Sequence, residues 1–105
     1  VESIDVNVEP LWEEGITGEG ALVCVVDDSL DVDNPDIRGN YDPTYSLNLV
    51  TGSQADEDIK PTKADQAHGT FSAGAAAARG GDGIGLTGAA PRSRLGFHHL
   101  PLGDD

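Results

Sequence analysis

Ala21-Leu22-Val23-Cys24-Val25-Val26-Asp27-Asp28-Ser29 and, further along, His68-Gly69-Thr70-Phe71-Ser72-Ala73-Gly74 decide how this chain folds. The first is a continuous apolar, β-branched run, which predicts a strand covered on both faces and ending in a carboxylate. The second opens a helix over His68 to Arg79. Ala73 and Ala75 to Ala78 favour it, and Gly80-Gly81 are placed to end it. Its small side chains predict close packing under a sheet. Arg94 to Leu100 reads as a further strand. Strand, helix and strand in that order imply an α/β fold with a parallel sheet. Reacting groups in such sheets gather at the carboxyl ends of strands. Asp27 lies at such an end, and His68 follows the loop that returns to the helix start.

The remaining segments are quieter. Pro10 to Glu14 predicts one or two helical turns, and Gly15 to Gly20 is turn chemistry. Asp27 to Asp42 reads as polar loop with a turn at Asn34-Pro35-Asp36, and Tyr45 to Val50 as a short strand. Thr51 to Gln66 has almost no apolar residue and reads as a surface loop long enough to carry function. Gly80 to Ala90 is a glycine-rich loop. Cys24, inside the first strand, reads as a small buried hydrophobe.

A chain of 105 residues allows one compact domain. Hydrophobic residues make up 37% and aromatics 5%, a lean supply for a core. There is no methionine, and the chain stops at Gly103-Asp104-Asp105 straight after an apolar segment, so it is expected to be a piece of something longer. Nineteen acidic against six basic side chains give a formal charge of −13. Nucleic acid is therefore a poor partner, whereas cations and basic peptides are natural ones. No apolar run approaches the roughly twenty residues that span a bilayer. A single cysteine excludes an internal disulfide.

Asp27 and His68 have the chemistry of two members of a serine-hydrolase triad. A buried carboxylate fixes the imidazole tautomer and stabilises the imidazolium formed when the ring takes a proton. The third member, a nucleophilic serine on its own element, is not evident. Ser72 is four residues after His68 on the same helix and reads as packing. His98 and His99 have neither the i,i+4 spacing nor the nearby acid of a metal motif. Gly83-Ile84-Gly85-Leu86-Thr87-Gly88 formally matches a dinucleotide fingerprint, but it follows a helix and precedes a strand, the reverse of what that motif needs.

Several motifs occur in fixed order: Trp12-x-x-Gly15-Ile16-Thr17-Gly18-x-Gly20, Val25-Val26-Asp27-Asp28, Asn34-Pro35-Asp36, Gly39-Asn40-Tyr41-Asp42-Pro43 and His68-Gly69-Thr70 with Ala73-Gly74. Together they resemble the subtilisin-like serine proteases (subtilases), with the kexin and furin branch the nearer match, from about Val6 to Gly103. The resemblance implies a parallel-sheet, three-layer subtilisin-like fold, with residues 1–105 as the N-terminal portion of its catalytic domain. It makes Asp27 and His68 the triad acid and base, and puts the serine beyond Asp105 in the rest of the same domain. Ser72 occupies a place where the convertases carry cysteine.

The resemblance further implies that Asp28 and Asp65 bind a basic side chain next to the scissile residue. Peptide or protein substrates with basic residues would then be the partners. It implies a Ca²⁺ site with side-chain ligands Asp36 and Asp82 and backbone carbonyls from Arg79, Ile84 and Leu86, which a glycine-rich loop can turn inward. A second convertase-type calcium site is not expected, because Asn48, Ser53 and Ala55 stand where acids would be. Ser29 replaces a usual glycine, Asn34 a usual histidine, and His98-His99-Leu100-Pro101-Leu102 a stretch near the substrate cleft. Location in a secreted, secretory or periplasmic compartment is implied in the same way. The 105-residue piece alone is expected to be inactive. A non-enzymatic reading stays open beside this one: an inactive subtilase fragment, or an acidic calcium-binding interaction module.

Overall fold

The computed structural model describes residues 6–63, 66–80 and 87–100. Its elements run α1 (Glu9–Glu13), β1 (Leu22–Asp27), α2 (Pro35–Arg38), β2 (Leu47–Asn48), α3 (His68–Ala77) and β3 (Arg94–His99), with single 3₁₀ turns at Pro43–Tyr45 and Asp56–Asp58. The strands form one three-stranded parallel sheet in the order β1-β3-β2. β3 is central, and its register sets Val25 beside Phe97 and Asp27 beside His99 on one side, and Asn48 beside His99 on the other. The carboxyl ends of all three strands therefore meet around Asp27, Asn48 and His99.

α3 crosses one face of this sheet. Gly69, Ala73 and Ala77, spaced by four, are its buried residues and form the stripe that faces inward. They pack with Leu30, Val32, Ile37, Ile59, Leu95 and Phe97, all at most 1% exposed. Ile59 explains how a loop with so few apolar residues stays attached: its one large aliphatic side chain is fully buried in the core. Asn34 caps α2, its side-chain oxygen accepting from the Asp36 N–H at 2.9 Å, so the expected turn becomes a one-turn helix.

Three expectations need correction. β1 is covered on one face only, with Val23 and Val25 half-buried while Leu22 and Val26 are 39% and 54% exposed. Cys24 shares that open face and is exposed rather than buried. The reason is architectural: among the described residues, α2 and α3 contribute to the core on one face of the sheet, and the face that carries Leu22, Cys24 and Val26 is left exposed. α3 also ends at Ala77, before the glycine pair. Ala78 is extended, and Arg79 forms an isolated antiparallel bridge with Thr87. The amides of Gly88, Ala89 and Ala90 take the carbonyls of Ala78, Ala75 and Ala76 at 2.8–2.9 Å, which leaves the helix no reason to continue.

Candidate active site

The apolar run of β1 delivers Asp27 to the carboxyl edge of the sheet, where it is 7% exposed. Both of its carboxylate oxygens are used. Oδ1 accepts from the Asp28 N–H at 2.7 Å, and Oδ2 lies 2.7 Å from Nδ1 of His68. That contact fixes Nδ1 as the protonated nitrogen when the ring is neutral, and so leaves Nε2 with its lone pair. The His68 side chain is 74% exposed, so the far edge of the ring is open. A buried acceptor on one side of an imidazole and open space on the other is what a general base needs.

His68 reaches this position because it is the first residue of α3 and the helix comes very close to the strand end. A Cβ on Gly69 would overlap the Ser29 carbonyl oxygen, the Phe97 ring and the Asp28 carboxylate, so only glycine can follow the histidine there. Asp28 is 7% exposed, and its Oδ1 accepts from the Ser29 N–H at 2.6 Å and from the Gly69 N–H at 2.8 Å. Ser29 is fully buried and donates through Oγ to the Gln66 carbonyl at 2.8 Å. The Asp31 N–H donates to Thr70 Oγ1 at 2.9 Å. None of these links has a sequence signature beyond the residue types themselves.

Asp65 lies outside the described residues. Its neighbours Lys63 and Gln66 line a polar cleft with Asn48, Glu57, Asp58, Lys60, Thr62 and His99 at the carboxyl end of β2 and β3. Asp82, Ile84 and Leu86 also lie outside the described residues. Arg79 and Asp36 do not, and they are adjacent: the Arg79 N–H donates to the Asp36 carbonyl at 2.7 Å. Oδ1 of Asp36 is buried with no hydrogen-bond partner, a costly state for a carboxylate oxygen and one that a hard cation would relieve. Among the described residues no three His, Cys, Asp or Glu side chains cluster as a metal site. His98 and His99 are the last two residues of β3.

Residues 18–105 match the sequence pattern of the subtilase family. The chain belongs to that family. This subtilase chain is 43% identical over 93 residues to the PC3-like endoprotease variant B of Hydra vulgaris, covering 89% of this chain and 13% of that one. It is 37% identical over 95 residues to furin of Homo sapiens, covering 88% and 12%. The crystal structure of Aeromonas sobria serine protease with its chaperone superposes with a TM-score of 0.74 at 44% identity, over 87% of this chain and 14% of that one. The parallel sheet with its helices is thus part of a subtilisin-like α/β fold, and the chain spans 12 to 14% of the length of these relatives. No helix among the described residues is long and apolar enough to cross a membrane.

Proposed function

We propose that residues 1–105 are the N-terminal portion of the catalytic domain of a serine endopeptidase that cleaves after basic residues. The observation that supports this most is the 2.7 Å contact between His68 Nδ1 and Asp27 Oδ2, with the opposite ring edge open. In this reading the nucleophilic serine comes from the rest of the same domain. His68 takes the serine proton through Nε2 as the hydroxyl attacks the peptide carbonyl, and then gives it to the leaving amine. Asp27 stays ionised throughout, holding the ring and stabilising the imidazolium.

Asp28 and Asp65 both precede His68 in sequence and supply negative charge, and a peptide with Lys or Arg near the scissile bond would gain charge-assisted contacts there. Ca²⁺ would be held by Asp36 and Asp82 with carbonyls from Arg79, Ile84 and Leu86. Its contribution is structural, a hard cation that ties the loop after α3 to α2. The unpartnered Asp36 Oδ1 is the feature that fits it. A secreted or secretory-pathway location belongs to the same proposal.

The test is steady-state cleavage of matched fluorogenic peptides by the full-length protein. Substrates with Lys or Arg before the scissile bond should be turned over in preference to neutral ones. His68→Ala should lower kcat by roughly 10⁴-fold or more, because triad members act as a unit. Retained turnover in that variant would sink the mechanism.

A further inference from the structure

We infer that Asp28 is a positioning residue for His68, clamping the first turn of α3 to the end of β1 and so holding the imidazole against Asp27. The inference rests on the reading of Asp27 and His68 as an acid–base pair. Asp28 is hydrogen-bonded to one half of that pair and to the residue that follows the other. Its N–H donates to Asp27 Oδ1 at 2.7 Å, and its own Oδ1 accepts from Gly69 N–H, the residue directly after His68, at 2.8 Å. The four residues close a ring in which a shift of either backbone segment would break a bond.

Gly69 N–H is one of the helix-start amides with no intrahelical acceptor. The residue before the helix, Ala67, has no side-chain oxygen to cap it. Asp28 therefore performs from another element the task that a capping residue usually performs from its own. Its charge also sits favourably at the positive end of the helix dipole. The serine hydroxyl bond from Ser29 to Gln66 and the amide bond from Asp31 to Thr70 run in the same direction. They fasten residues 29–31 to residues on both sides of His68, so the clamp is a seam with Asp28 at its buried centre.

This assigns Asp28 two separable jobs. Positioning needs an oxygen at Oδ1, charged or not. Attraction of a basic substrate side chain needs the negative charge. Asparagine keeps the first and loses the second, and alanine loses both.

The experiment compares wild-type full-length protein with Asp28→Asn and Asp28→Ala on a substrate whose recognised side chain is neutral, so that charge attraction drops out. Alongside it, proton NMR follows the far-downfield signal of the His68 Nδ1–H bonded to Asp27. Asp28→Ala should lower kcat by about 10- to 100-fold with little change in KM, in line with the cost of small misplacements of catalytic groups, and should weaken the downfield signal. Asp28→Asn should recover at least about tenfold of that loss, and keep the signal. Alanine turnover within about twofold of wild type with the signal intact would overturn the inference, as would asparagine turnover no better than alanine. If Asp28→Ala does not accumulate as folded protein, Asp28→Ser takes its place: its short hydroxyl should give turnover below asparagine, and turnover equal to wild type would count against the clamp. His68→Ala separates the two ideas. Activity in that variant removes the acid–base pair and the clamp with it. Inactivity there, together with full activity of Asp28→Ala, removes the clamp alone.

Discussion

The two ends of α3 are fastened by opposite means. At the start of the helix the carboxylate of Asp28, just past β1, accepts from the Gly69 amide, that of Asp27 holds the His68 ring, and Thr70 receives the Asp31 amide. At its end the last carbonyls are satisfied by donors: the amides of Gly88, Ala89 and Ala90, and the side chain of Asn40, whose Nδ2 donates to the Ala77 carbonyl at 2.9 Å and the Pro91 carbonyl at 2.8 Å. Two of the three acceptors at the start are carboxylates, and Asp27 stands at the carboxyl edge of the sheet. The donors at the end are neutral, and Asn40 is 5% exposed. Carboxylates hold the end where chemistry is expected, while the far end is fastened mainly by neutral donors, with Arg79 Nη1 donating to Asn40 Oδ1 at 3.3 Å. Damage to the first end should therefore appear in turnover and damage to the second in stability.

The sharpest way to break that division is Asn40→Ala. It leaves two buried carbonyls, of Ala77 and Pro91, without the donor they now share. At about 1–3 kcal/mol per buried polar group left unpaired, the loss should be about 2–6 kcal/mol. A lower midpoint in thermal or denaturant unfolding of the full-length protein, with kcat per folded molecule unchanged, is the expected result. A large fall in kcat with the melting temperature intact would mean that the two ends are not functionally distinct.

How far the sequence reaches follows the same line. The strand into Asp27, the helix from His68 and the parallel return at Arg94 were legible because each has a periodicity or a punctuating residue. The meeting of Asp27 with His68 was implied by the resemblance to the subtilases, and a strand end and a helix start that share one edge of the sheet permit it. Asn40 was visible only as a letter in a motif, since nothing local says that its amide reaches Ala77 and Pro91. The roles of Ser29 and Thr70 were hidden for the same reason: each is a single hydroxyl meeting a backbone group far along the chain. The two-sided burial expected for β1 failed for a different cause. An apolar run such as Leu22-Val23-Cys24-Val25-Val26 records what a strand can tolerate on both faces, whereas this chain supplies elements for one. Asp65 and Asp82 themselves lie outside the described residues, so those two expectations rest on the sequence.

Calcium removal sharpens the comparison at an intermediate scale, because the proposed site joins Asp36 to the segment after α3 and touches only the far end of the helix. A ligand held at a hundredfold over its Kd stabilises by about 2.7 kcal/mol. Chelation of the full-length protein should lower its melting temperature, and Asp36→Asn should lower it similarly while abolishing most of the response to added Ca²⁺. Equal melting of wild type with and without chelator would remove the calcium proposal while leaving the Asp27–His68 pair untouched.

The smallest effect is expected at the exposed ion network that pins the loop leading to α3. Asp33 lies 2.6 Å from Lys60 Nζ and 2.9 Å from Arg38 Nη1, so it ties the segment around the buried Ile59 to α2. The hydrogen bond from Lys60 holds the Asp33 carboxyl below the usual carboxylate range, and the same bond raises Lys60. A depressed carboxylate pKa means that the folded state favours the ionised form. The stabilisation is therefore complete above the unfolded value of about 4 and is lost as pH falls through the lower folded value. For Lys60 the sense reverses: its contribution is present below about 10.4 and lost as pH rises through the raised folded value. Asp33→Asn should lower the melting temperature slightly at neutral pH. The difference from wild type should shrink at acid pH and in high salt, because exposed pairs are weak and screened. A difference that persists unchanged as pH falls well below the unfolded value of about 4 would show that Asp33 acts by packing rather than by charge. A fall as large as that of Asn40→Ala would mean that the loop seam at the start of α3 depends on surface charge far more than its buried hydrogen bonds imply.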